Sequence, residues 1–538
     1  MVHPYTHGAE SYFVLGEGLL SESDGGRPTA ESAPVAKGAK AAKAAKAATP
    51  APPFRFSRVG PKGSPLSETN RTKIANAMIA NTGGTAGVPS GFTYLGQFID
   101  HDLTSDKTAV MLGTEISPAE MLQGRSPRLD LDSLYGDGPG DPESAVFFSD
   151  DAHLKMGKTV AAPPDAAREG FDLPRAGTGS SKAAKRKAVI PDPRNDENLA
   201  VAQTHLAMIR FHNRVVDRTP ASVPVANRFH HSRRIVTKHY QWMIRHDYLP
   251  RIVAPAVLDD VFTNGRKVVE PGADPTAVPT MPIEFSVAAF RLGHSMVRAA
   301  YNWNARFPDG AGSLDLLFEF SGLSGDLGGN VRLPSNWIAD FRRLYDFKEA
   351  GRQDLAAPGG LNRAMRIDTR LVDPLKNLPA RSFGGPAVPF NDPRANLAFR
   401  NLARASMVRL ATGQGMVQLL KSKGVSVKAL TKSQILNGDN GAKTTNLTSA
   451  ERDGLAARTP LWFYILREAE LNGGRLNGVG ARIVAETMHR AMEGSKFSIV
   501  RDSNWVPFLG PDHKTFRMVD LLLFAFQGKK SLLAPLGN

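Results

Sequence analysis

Apolar residues return at every third and fourth position through long stretches between about residues 65 and 527. The segments NRTKIANAMIANT, ENLAVAQTHLAMIRFHNRVVD, RRIVTKHYQWMIRHDYL, VAAFRLGHSMVRAAY and VGARIVAETMHRAM show it most clearly, whereas strand-like alternation is scarce. A helix gathers such residues into one stripe, and striped helices are stable only when they bury their stripes against one another. The expectation is therefore a mainly α fold, one large single domain over residues 56–538 with long Pro- and Gly-rich connections. No fixed-period repeat marks a solenoid.

Residues 1–55 read differently. They contain AKGAKAAKAAKAATPAPP, with Lys37, Lys40, Lys43 and Lys46 but no apolar face, and are expected to form a flexible basic tail able to touch anionic surfaces. A second basic stretch, Arg175 to Lys187, is expected as an exposed loop. Lys and Arg total 67 against 52 Asp and Glu, a formal charge of +15. That balance supports non-specific contact with polyanions, yet no nucleic-acid motif or stacking platform is present, so no specific nucleic-acid partner is expected.

The chain has no cysteine, which excludes disulfides, iron–sulfur clusters, thiolate-ligated metals and a cysteine nucleophile. Any metal must sit on histidine or oxygen. No apolar run reaches the ~18 residues of a membrane span. The first twenty residues lack a basic start followed by an apolar core, so a standard signal peptide is not expected; the location is cytoplasmic, or reached by a non-classical route.

Four segments carry candidate chemistry. In Tyr94-Leu-Gly-Gln-Phe-Ile-Asp-His-Asp102, Gln97, Asp100 and His101 share one helix face while Asp102 points away. A histidine beside an amide in a polar niche suits a general base; an acidic helix end is the plainer alternative. In Asp192-Pro-Arg-Asn-Asp-Glu-Asn198, proline and cap residues open a helix with Arg194 at its mouth, and Glu197 and His205 fall on a common face; simple capping is the alternative. In FRLGHSMV, His294 follows Gly293, which leaves room for something flat, although an ordinary core histidine fits as well. In SPRLDLDSLYG, oxygen donors alternate with apolar residues, a spacing that suits a hard cation or a plain acidic turn.

Taken together and in this order, the four segments resemble the animal-type haem peroxidases, the superfamily of myeloperoxidase and lactoperoxidase with bacterial members. The resemblance covers about residues 65–527 and makes residues 56–538 the haem peroxidase domain. It implies Gln97 as the distal glutamine, His101 as the distal histidine, Arg194 as the catalytic arginine and His294 as the iron ligand. It further implies Asp100 and Glu197 as carboxylates able to form ester bonds with a haem b-derived cofactor. Asp102, Ser126, the Arg128 carbonyl, Asp130 and Asp132 would hold calcium. Gln414 would supply the amide partner of the proximal histidine, and Arg291 would contact the cofactor. Asn198 stands where myeloperoxidase has a methionine bonded to a haem vinyl, so that link cannot form. The implied activity is reduction of hydrogen peroxide and oxidation of small donors, halide, thiocyanate or phenol-like, through a ferryl intermediate. Two rivals stand beside it: a fatty-acid oxygenase of the same superfamily, whose radical-bearing tyrosine position is Arg291 here, and a non-catalytic haem-holding protein that binds polyanions.

Overall fold

The computed structural model describes residues 54–538, except 81–83, 107, 109, 111–112, 380–381 and 383–387, together with residues 13–14 and 18–19. The expected tail over 1–55 thus lies almost wholly outside the described residues. Helices carry the fold. Those that matter for the site are α1 (Gly91–Leu103), α2 (Leu199–Asp217), α3 (Arg228–Met243), α4 (Gly293–Met296), α5 (Leu397–Met407), α6 (Gly413–Ser422), α7 (Leu461–Leu471), α8 (Gly478–Glu493) and α9 (Met518–Ala525). Strands among the described residues form only two-stranded ribbons, such as Thr85–Pro89 against Arg363–Met365. One continuous apolar core runs from Phe56 to Leu533.

The central helix is α2, which packs on α1, α3 and α9. Its start is built by capping. Asp192 accepts the Arg194 N–H and opens a 3-10 turn over Pro193–Asp196, and Asn198 then accepts the Val201 N–H at 2.9 Å to begin α2. Glu197 consequently lies before the helix rather than on it. The expected face shared with His205 does not form: His205 is fully buried against the Phe98 ring, 5.7 Å away.

In α1 every residue but Gln97 is buried. Such burial requires close neighbours. A Cβ at Gly96 would lie 2.3 Å from the Tyr248 hydroxyl, so only glycine allows the two to meet. Tyr248 itself is delivered by a break in α3, which continues into a π turn over Ile244–Tyr248, where the Leu249 N–H bonds the Ile244 carbonyl five residues back.

Two expectations fail here for physical reasons. The periodic stretch 287–301 is not one helix: a 3-10 turn over Ala289–Leu292 leads into the four-residue α4, and the chain is extended at Val297. Side chains claim the carbonyls a longer helix would use, since Trp462 of α7 donates to Arg291 O at 3.3 Å and the Arg291 guanidinium donates to Ser286 O at 2.8 Å. Nor is the basic stretch wholly exposed. Arg175 is buried between Asp172 and Asp196, forming a charge cluster beside the start of α2, and Lys182–Arg186 is a short helix.

Candidate active site

A cavity lies between α1 on one side and the 290–297 segment on the other. From α1 come Gln97, Asp100 and His101; facing them are Arg291, Gly293 and His294. The rest is largely apolar, including Phe290, Val297, Leu314, Phe318 and Leu397. A Cβ on Gly293 would meet nothing within 4 Å, so that side of the cavity is open. A largely apolar chamber with a few converging polar groups is the usual form of a cofactor site.

Each histidine is oriented by an asparagine. His101 Nδ1 lies 2.9 Å from Asn195 Oδ1, so a neutral ring carries its proton on Nδ1 and Nε2 becomes the basic nitrogen. His294 Nδ1 lies 2.8 Å from the Asn401 side-chain amide of α5. Gln97 is oriented as well, because Asn198 Nδ2 donates to Gln97 Oε1 at 2.9 Å. Gln97 Nε2 is then buried with no partner, as is Asp100 Oδ1. Buried donors and acceptors of this kind cost about 1–3 kcal/mol unless something satisfies them. Asp100 Oδ2 sits 3.6 Å from the Arg291 guanidinium.

Arg194 does not line the cavity. Its Nε and Nη2 bond both Asp192 oxygens, at 3.0 and 2.7 Å, and Nη2 also donates to the carbonyls of His101, at 3.2 Å, and Thr104. Burial opposes ionisation of Asp192, but Arg194 and Arg125 outweigh it and hold its carboxyl well below the usual range. Arg194 is thereby fixed behind α1, gripping the turn that carries His101. Glu197 is buried but likewise does not line the cavity.

Gln414 is elsewhere. It lies in the first turn of α6, where Nε2 bonds Ala456 O at 2.7 Å and Thr459 Oγ1 at 2.8 Å. The amide that reaches His294 is Asn401, thirteen residues earlier. Sequence reasoning missed the orienting contacts of Asn195, Asn198 and Asn401; the first two lie in the Asp192–Asn198 segment, the third in α5 outside the four candidate segments. At Asn195 and Asn198 an asparagine beside a helix start reads first as a cap, which conceals such a second task.

The acidic loop packs directly behind His101. Asp102 accepts the Leu131 and Ser133 N–H groups, each at 3.2 Å. Burial first, and then the charge of Asp132, push its carboxyl up to about 8. Asp132 accepts from Arg233 at 3.2 Å, while Asp130 accepts from Ser495 and the Lys496 N–H. Ser126 Oγ is buried with no partner. Among the described residues no three His, Asp or Glu side chains converge as metal ligands.

Comparison with known proteins points to one family. The family model for the animal haem peroxidases matches residues 105–316, a span that includes Arg194, Arg291 and His294 but stops short of Gln97–Asp102. Mouse (Mus musculus) thyroid peroxidase is 30% identical over 193 residues, 34% of this chain and 20% of that protein. Heme peroxidase 2 of Caenorhabditis elegans is 25% identical over 225 residues, 38% of this chain and 30% of that protein. The chain therefore matches less than a third of the length of these relatives. In fold, peroxidase A of Dictyostelium discoideum superposes with a TM-score of 0.59 at 16% identity, covering 90% of this chain and 94% of that one. A fatty acid alpha-dioxygenase of Arabidopsis thaliana follows at 0.52 and 11% identity, covering 90% and 76%.

Proposed function

As this chain belongs to the animal-type haem peroxidase superfamily, we propose that it is a haem peroxidase that reduces hydrogen peroxide and oxidises small donors such as halide, thiocyanate or phenols. The observation that carries the reading is that His101 and His294, from two separate segments, line one largely apolar cavity. Haem, when bound, supplies an iron with one open face and the redox chemistry of peroxide cleavage. His294 would hold the iron. Asn401 places its amide Nδ2 2.8 Å from Nδ1 of His294; turning that amide over would set its carbonyl against Nδ1–H and leave Nε2 as the ligand nitrogen.

His101 would take a proton from one peroxide oxygen at Nε2 and return it to the other, and the Asn195 bond at Nδ1 keeps the ring in the tautomer this requires. Gln97 Nε2, aimed by Asn198, donates to the oxygen that bears charge. Arg194 contributes by holding the carbonyls of His101 and Thr104, and with them the distal turn. An ester between Asp100 and the cofactor is part of the proposal, supported by a buried Oδ1 without a partner at the cavity wall. Support for a second ester, at Glu197, comes only from its place in the motif. Calcium behind His101 is proposed on Asp102, Ser126, the Arg128 carbonyl, Asp130 and Asp132, supported by an all-oxygen donor set and the unpartnered Ser126 Oγ.

Arg291 occupies the place of the oxygenase tyrosine, which argues against fatty-acid oxygenation, and the oriented Gln97 and His101 argue against a passive haem holder. A spectrum of the purified protein with and without hydrogen peroxide tests the proposal. A Soret band that changes on addition of peroxide supports it, and protein that stays colourless after haem supplementation overturns it.

A further inference from the structure

A second cavity, of about 470 Å³, opens at the molecular surface between the end of α2, one face of α3, α9 and the segment 502–509. Its two sides differ in chemistry. On α3, His231, Arg234 and Lys238 fall at spacings of three and four and so share a face, joined by Arg218 just after α2. Opposite them stand Trp505, Phe508, Leu509 and Phe524. Phe508 is 46% exposed.

The apolar wall is held in place. His239 donates from Nδ1 to Ile235 O at 2.8 Å, and its Nε2 accepts the N–H groups of Phe508 and Leu509 at 3.2 and 3.3 Å. Trp505 is fixed edge-on to the His239 ring at 4.9 Å and to Trp242 at 5.8 Å, with the Lys238 ammonium 5.6 Å from its own ring centre. The charge on the opposite side is unbalanced. Lys238 is paired with Asp502, but among the described residues Arg218 and Arg234 have no acidic partner.

We infer that this groove is a binding site for a small aryl carboxylate, its ring against Trp505 and Phe508 and its carboxylate between Arg218 and Arg234. The groove has the volume of a small-molecule site, the aromatic wall suits a flat apolar body, and two guanidiniums without acidic partners favour a carboxylate over a neutral or cationic head. The chain's own Lys37–Lys46 repeat has the wrong charge to occupy it. The inference is independent of the chemistry in the haem-type cavity.

The test is calorimetric titration of the full chain, haem-loaded, with 2-naphthoate, 2-naphthylmethanol and decanoate. Expected is saturable one-to-one binding of naphthoate, weaker binding of decanoate and about ten-fold or greater loss for the neutral alcohol. Arg218→Glu/Arg234→Glu should abolish naphthoate binding. The exposed pair Lys421→Glu/Lys423→Glu, which changes net charge equally, should leave it intact, and Phe508→Ser should weaken it at unchanged net charge. Thermal unfolding confirms that each variant is folded. Equal losses in the two charge-reversed proteins would mean bulk electrostatics and overturn the inference. So would binding that survives Arg218→Glu/Arg234→Glu, equal affinity for the alcohol, or decanoate binding more tightly than naphthoate.

Discussion

The two walls of the haem-type cavity are built in opposite ways. The distal wall is one face of a thirteen-residue helix that is buried almost throughout, and Asn195 and Asn198, which orient its functional side chains, arrive together at the start of α2. The proximal wall is a four-residue helix inside an irregular segment, and its histidine is reached by Asn401 from a helix 107 residues further along. Regular structure holds the side that would move protons, while tertiary contacts hold the side that would carry the metal. The difference teaches that precision at a site is available from either source, but only the first is encoded locally.

The largest expected effect lies on the proximal side, where His294→Ala should abolish most haem incorporation, read as the ratio of Soret to protein absorbance. Normal haem content and spectrum in that variant would break the proximal assignment. On the distal side, His101→Ala should keep haem yet slow the reaction with peroxide by about 10²–10⁴-fold in stopped-flow measurements, the usual worth of a general acid–base. An unchanged rate would remove the distal histidine from the mechanism.

A subtler perturbation sharpens the contrast. Asn195→Leu should slow the peroxide reaction by about 10–100-fold, the scale typical of groups that orient a functional histidine. Asn195→Asp, which keeps an acceptor but adds a charge, should retain the rate at high pH and move the acidic limb of its pH profile upward. A merely structural role would lower both variants without moving that limb.

The smallest effect concerns α7, which backs the proximal segment. Burial pushes Glu468 up to about 8, against the backbone N–H groups of Val479 and Gly480 that favour its charged form. A carboxyl whose pKa is raised on folding binds more protons in the native state, so its contribution is complete below about pH 4 and is lost as pH rises towards 8. Glu468→Gln should flatten that fall, on the order of 1–3 kcal/mol, in denaturant titrations at pH 5 and 8.

Legibility in the sequence follows the same division. The helical periods over 68–78, 199–217 and 478–493 were readable because propensity, capping and apolar spacing agree there. The shared face of Gln97, Asp100 and His101 follows from helix geometry alone. The break at 289–297 was not readable, because it depends on Trp462, far along the chain, claiming a carbonyl. The proximal amide was assigned to Gln414 instead of Asn401 because spacing within a motif does not reveal which turn faces a distant histidine. Burial of Arg175 escaped notice for a related reason: its partners Asp172 and Asp196 make a charged residue cheaper to bury than its glycine- and serine-rich neighbours suggest.

The π turn at Ile244–Tyr248 makes chain length at that point a functional variable. A π turn holds one residue more than the α turn it replaces, so deleting a single residue between 244 and 248 would let the helix run straight through. The helix after the deletion would keep its phase about the axis, while the side chains inside the turn, Tyr248 beside Gly96 among them, would be redistributed over one residue fewer. A relative with the same side chains but one residue fewer here would present a differently shaped chamber, so gaps in an alignment at this turn report on the site as directly as substitutions do.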